Sequence, residues 1–111
     1  MKFTTNKTIW LLLFLLCNNL LIAQPDRIDS LKNILIHHTS SDTSKVKMLI
    51  ELAYSCRFVD GEQLFHFASQ ANILSDSLSY DTGKIKSLNL LGLYYYSISD
   101  YQRALNLHEQ A

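Results

Sequence analysis

The chain reads as an all-α solenoid of helical hairpins, on three observations. The hexapeptide Asp42-Thr43-Ser44-Lys45-Val46-Lys47 returns as Asp81-Thr82-Gly83-Lys84-Ile85-Lys86, 39 positions later. Self-similarity at such a period marks a repeat architecture. Apolar residues recur at steps of three and four, the period of an amphipathic helix. Finally, the 111 residues include one proline and three glycines, too few for a turn-rich all-β fold or a disordered linker. The length admits one small domain. Stacked helical units build an extended concave surface, so binding is expected of this chain before catalysis.

The N-terminus, residues 1–23, has the pattern of a secretory signal peptide. Lys2 and Lys7 form a positive start, and Ile9 to Leu16 is an unbroken apolar run. Leu20-Leu21-Ile22-Ala23 then leads to Gln24-Pro25, which places cleavage near Ala23. Leu21 is large for its place three residues before the cut. An uncleaved anchor is the alternative, although a span takes about 20 apolar residues and Asn18-Asn19 interrupts this stretch. Lipid attachment at Cys17 is disfavoured by the bulky Leu16 before it. Cleavage would leave Cys56 as the one cysteine, read as a small buried hydrophobe. It would also leave eight basic residues against ten acidic, a net charge of −2. Nothing is basic enough to suggest nucleic acid.

The helices follow in order. Residues 24–41 form an N-terminal helix and linker. Pro25 and Asp26 predict a start at Asp26, Ile28, Leu31 and Leu35 share a stripe with Ile34 at its margin, and the helix closes at His37-His38. Asp42 predicts the next N-cap, followed by a stripe of Val46, Leu49, Leu52, Ala53 and Cys56. Val59-Asp60-Gly61 is a turn, and Asp60 with Gln63 resembles a capping box. Leu64, Phe67, Ala68, Ala71, Leu74 and Leu78 form the face of a helix to about Ser79. Asp81 is the expected cap of a fourth helix carrying Ile85, Leu88, Leu91, Gly92 and Tyr95. Ser99-Asp100 turns into a last helix with Tyr101, Ala104, Leu105, Leu107 and Ala111.

The two copies, 42–80 and 81–111, align stripe to stripe. With one inserted residue in the turn, Asp60, Leu64, Phe67 and Ala71 correspond to Asp100, Ala104, Leu107 and Ala111. The second copy resembles the tetratricopeptide (TPR) repeat: Leu91-Gly92, Tyr95, Tyr101, Ala104 and Ala111 stand in the pattern L-G-x-x-Y…Y-x-x-A…A. Leu88 stands where a tryptophan leads, and His108 where an aromatic is usual. The first copy departs further, with Ala53 for glycine, Cys56 for tyrosine and Leu64 for alanine. Its period also exceeds the usual 34 residues.

The resemblance implies that Leu52, Ala53, Ala71, Leu91, Gly92, Tyr95, Ala104 and Ala111 are structural positions. Gly92 and Ala104 would let two helices approach, and Tyr95 would fill the wedge between units. It places binding residues on the inner face of each first helix: Lys47, Ile50, Tyr54 and Arg57, then Lys86, Asn89, Leu93 and Tyr96. That mixed basic and aromatic strip suits an extended acidic or aromatic peptide. It also reads as a solvated helix face with snorkelling lysines. The carboxylate clamp of chaperone-binding relatives is not matched.

The second copy stops at the counterpart of Ala71, so the unit is expected to be truncated at its C-terminus. The resemblance then points to the exported N-terminal part of a larger sensor or regulator. A small autonomous periplasmic adaptor is the alternative. The partner expected is a protein or peptide, with self-association through the uncovered last helix as a further expectation. Membrane contact is expected only through an uncleaved signal or downstream sequence. No cofactor, metal or catalytic group is expected. His37 and His38 diverge on a helix, His66 and His108 lack ligands at metal spacing, and Asp60, Asp81 and Asp100 read as turn residues. Asp81-Thr82-Gly83-Lys84 lacks the strand and leading glycine of a phosphate loop.

Overall fold

A computed structural model describes the backbone of residues 2–111 and the side chains of residues 7–14 and 27–111. Among these residues there are five helices and no strand: α1 (Lys2–His37), α2 (Thr43–Cys56), α3 (Gly61–Ser77), α4 (Asp81–Ser97) and α5 (Tyr101–Gln110). The fold is therefore all-α, as expected. Each helix packs on the next, and α2 also meets α4 directly. The first helices of the two hairpins thus lie side by side, with α3 and α5 paired to them.

The apolar stripes read from the sequence form most of the core. Val46, Leu49, Leu52, Ala53 and Cys56 of α2 are buried, as are Leu64, Phe67, Ala68 and Ala71 of α3. Ile28 joins them from α1, with Leu31 and Leu35 packed beside it. Burial pushes the Cys56 thiol above its ordinary pKa, which suits an inert packing role.

Several expectations need correction. Helical backbone does not begin at Asp26; α1 runs from Lys2 through Pro25, because the Leu-rich stretch upstream is a strong helix former by itself. The expected roles of Asp26 as a cap and of Ala23 at a cleavage site lie outside the described side chains. Asp81 does not cap α4. Tyr80 is the N-cap and makes no side-chain cap bond. The α3–α4 junction is too short to hold Asp81 outside the helix, since the Tyr80 carbonyl already accepts from Lys84 N–H at 3.1 Å. In the first turn Asp81 still opposes the positive end of the helix dipole.

Ile85, expected in the stripe, is 46% exposed, and Leu78, Leu105 and Ala111 are also exposed. Tyr95 is half-buried; its ring meets Phe65 at 6.2 Å and lies 5.5 Å from the Arg103 guanidinium carbon. Conversely, Gly83, Ser87 and Leu90 are buried without having been expected. The reason is that α4 touches α2, α3 and α5. A helix packed on three sides does not show one clean apolar stripe.

The tightest seam lies where α4 begins. A Cβ on Gly83 would come 2.5 Å from Ser75 Oγ, 2.6 Å from Tyr80 Cδ1 and 2.7 Å from Val46 Cγ1. Ser75 and Val46 are fully buried there. Gly92 makes the second close approach: a Cβ would meet the His108 ring at 2.8 Å. The expected contact between the two helices of the second hairpin is therefore made by an imidazole lying on a glycine.

Two helix ends share one device. α3 ends with Tyr80 N–H on Ser75 C=O (2.9 Å) and Ser79 N–H on Asp76 C=O (3.2 Å); α4 ends with Asp100 N–H on Tyr95 C=O (2.8 Å) and Ser99 N–H on Tyr96 C=O (3.0 Å). These are Schellman motifs. Each requires a left-handed residue, here Ser79 (φ 51°) and Ser99 (φ 65°).

At the opposite ends, carboxylates cap α2, α3 and α5. Asp42 accepts from Lys45 N–H, Asp60 from Glu62 and Gln63 N–H, and Asp100 from Arg103 N–H. The Gln63 amide donates to Asp60 Oδ2 at 2.9 Å. The reciprocal bond of a capping box would go to Asp60 N–H, but Cys56 C=O already occupies it at 2.9 Å.

Three outcomes follow from these contacts. Gly83→Ala is expected to destabilise the chain by about 1–3 kcal/mol through overpacking, although alanine is intrinsically the better helix former by about 1 kcal/mol. Gly92→Ala is expected to do less, because the exposed His108 ring can swing aside, whereas Gly92→Leu cannot be so accommodated. Urea melts rank the three; an unchanged midpoint for Gly83→Ala would remove the seam from the account.

Ser79→Gly and Ser99→Gly are expected to stabilise by about 0.5–1 kcal/mol each, since a side chain disfavours the left-handed region. Loss of stability in both variants would contradict the assigned helix ends.

The third outcome concerns acid. The His38 hydrogen bond, then that of Lys45 N–H, holds the Asp42 carboxyl below its ordinary pKa. Gln63 does the same for Asp60, through backbone N–H first and side chain second. Depressed carboxylates contribute stability above the unfolded value, about 3.9. That contribution is lost as pH falls through the lower folded values. The double variant Asp42→Asn, Asp60→Asn keeps oxygen caps and should show a flatter acid limb in stability between about pH 5 and 2. An acid limb identical to the wild type would rule these two groups out.

Candidate binding groove

Lys47, Ile50 and Tyr54 are spaced three and four apart on α2, so they share one helix face. Lys86, Asn89 and Leu93 repeat that spacing on α4. Because α2 and α4 lie side by side, the two faces merge into one groove of about 710 Å³. All six of these residues line it. The volume is within the range of ligand-holding clefts, about 300–1,000 Å³.

Five more residues complete the lining: Arg27 from α1, Glu51 from α2, Tyr80 from the junction, Leu90 from α4 and His108 from α5. None of them was singled out as a binding residue from sequence. Their contribution depends on neighbouring helices bringing them in. Arg27 reaches across to Glu51, 24 positions away, in an exposed 2.6 Å ion pair. His108 closes the far end and donates from Nδ1 to Asn89 Oδ1 at 3.1 Å. A signal for His108 was present in the repeat: it stands where the first copy has Ala68, just as Gly92 stands where that copy has Ala53. The larger residue on the second helix accompanies the smaller one on the first.

Arg57 and Tyr96 do not line the groove. The Arg57 guanidinium lies 3.5 Å from the Tyr54 ring centroid and 4.6 Å from that of Phe58, and Nη1 donates to Tyr54 C=O at 2.9 Å. Tyr96 is exposed and stacks edge-on with Tyr101 at 5.3 Å. Arg57 is the C-cap of α2 and Tyr96 lies in the last turn of α4, one further step of the same spacing, where the groove has already ended.

The electrostatics of the groove are simple. Three cations, Arg27, Lys47 and Lys86, face one carboxylate, Glu51, and that carboxylate is held by Arg27. Among the described residues Lys47 and Lys86 have no ion-pair partner, unlike Lys84, which pairs with Asp76. Ile50, Leu90, Leu93 and the rings of Tyr54 and Tyr80 supply the apolar part. The arrangement offers two separated positive charges over an apolar floor. Among the described residues no group of three or more His, Cys, Asp or Glu could hold a metal ion. No helix among them is long and apolar enough to cross a membrane.

No family model, curated protein or solved structure matches this chain.

Proposed function

We propose that this chain is a protein–protein interaction module of the TPR-like kind, which holds an extended peptide in the α2–α4 groove. The observation that carries the reading is convergence. Positions 47, 50 and 54 of one repeat and 86, 89 and 93 of the other meet in one cleft. The resemblance assigns binding to this same strip. The unpaired lysines favour acidic groups on the ligand, and Ile50, Tyr54, Leu90 and Leu93 favour an apolar or aromatic side chain between them. The N-terminal signal-like segment supports a place outside the cytoplasm, as the exported part of a sensor or regulator. A small periplasmic adaptor is the alternative, and the groove would serve either.

Selection from a displayed random-peptide library tests the reading. Binders should be enriched in Asp or Glu flanking an aromatic or aliphatic residue. A fluorescent peptide from that selection should lose at least roughly tenfold in affinity, about 1.4 kcal/mol, on Lys47→Glu with Lys86→Glu, while circular dichroism is unchanged. Its affinity should also fall with salt, because exposed charges are screened. Binders without acidic character, or equal affinity for the double variant, would leave the strip a solvated helix face.

A further inference from the structure

Among the described residues lining the groove, Glu51 is the single carboxylate, and its choice of partner is informative. Lys47 stands four positions earlier on α2, one helical turn away, where a lysine and a glutamate can pair. Glu51 does not take it. Its Oε1 accepts instead from Arg27 Nη2 of α1 at 2.6 Å. Arg27 is well placed for this. Its neighbour Ile28 is buried in the core, so the backbone beneath Arg27 is fixed against α2. The guanidinium itself stays in the mouth of the groove, with 64% of the Arg27 side chain exposed and 49% of that of Glu51. A pair so open to water is individually weak, because solvent screens it and two long side chains must be held still. Among the described residues the contact uses one nitrogen of the guanidinium. Arginine is built to take a carboxylate with two parallel N–H bonds, so a better-aligned carboxylate can replace Glu51.

We propose that Arg27 is a third carboxylate anchor of the groove, held in reserve by Glu51, and that the groove selects peptides with three acidic side chains over peptides with two. The inference rests on the peptide-binding reading of this groove and deepens it. Lys47 and Lys86 meet the first two carboxylates, and the third displaces Glu51 from Arg27. Once released, Glu51 lies half in water and needs no new partner. A peptide with only two carboxylates leaves the pair closed and meets Glu51 as a like charge. Glu51 is thus a specificity residue: it opposes every acidic ligand, and only a ligand that takes its place on Arg27 recovers the loss.

Two fluorescent peptides built on the sequence selected from the library test this, one with two glutamates and one with three. Both are amidated at the C-terminus so that the chain end adds no carboxylate. The wild type should prefer the triacidic peptide. Glu51→Gln keeps the shape of the side chain and should tighten the triacidic peptide by roughly threefold or more, the scale of one exposed charge pair. In that background Arg27→Gln should weaken the triacidic peptide more than the diacidic one. Glu62→Gln, on α3 and outside the groove lining, changes the net charge equally and should leave both affinities unchanged. If Glu51 serves only to hold α1 on α2, Glu51→Gln would weaken binding or leave it unchanged, and either result overturns the proposal. An equal gain from Glu62→Gln overturns it as well, by reducing the effect to net charge. Binding that is lost on Lys47→Glu with Lys86→Glu but not gained on Glu51→Gln removes this inference and leaves the groove reading standing. Binding indifferent to the two lysines removes both.

Discussion

The absence of a side chain at Gly83 lets the first turn of α4 rest on Val46 and Ser75 with no room for another carbon. Protein interiors are close-packed, and one added methyl-sized group in such a place is felt. Other features depend on this approach. It holds α4 against both helices of the first hairpin, buries Val46, and brings Tyr94 and Tyr95 to Phe65. It also sets α2 and α4 side by side, without which their polar faces would not form one groove.

The chain reaches this seam by turning sharply. The Schellman motif at the end of α3 needs a left-handed residue, and Ser79 supplies it. Ser99 repeats the device at the end of α4, within a matching Ser-Leu-Ser and Ser-Ile-Ser pair. These turns lie 20 residues apart, half the repeat. They join α3 to α4 and α4 to α5, so both mark the sharp reversals that make α4 the central helix. The α2–α3 junction is built differently, with Asp60 bonded to both Glu62 and Gln63.

The groove is a by-product of that stacking. Each repeat contributes a lysine in its first turns and a larger apolar residue further along, and a step of seven keeps them on one side. Adjacent helices then double the pattern. Arg27 and His108 enter only because α1 and α5 flank the pair; Arg27 engages Glu51, and His108 forms the far wall.

The positions of α2 to α5, most of the α2 and α3 core, the caps of α2 and α3 and six of the eleven groove residues were legible in the sequence. Each follows from local spacing: 3.6-residue periodicity chooses a face, and a carboxylate before a helix satisfies its free N–H groups. What the sequence alone could not determine concerns which faces have neighbours. Ile85 and Val46 occupy the same repeat position, yet Ile85 is exposed and Val46 buried, because α4 covers Val46. Gly83, Ser87 and Leu90 are buried for the complementary reason, that α4 has partners on three sides. Asp81 failed as a cap because a short junction, itself set by the packing of α4 on α3, draws it into the helix. Local chemistry chose the helices and their polar and apolar sides; burial was decided by stacking, since it is a property of the neighbour as much as of the residue.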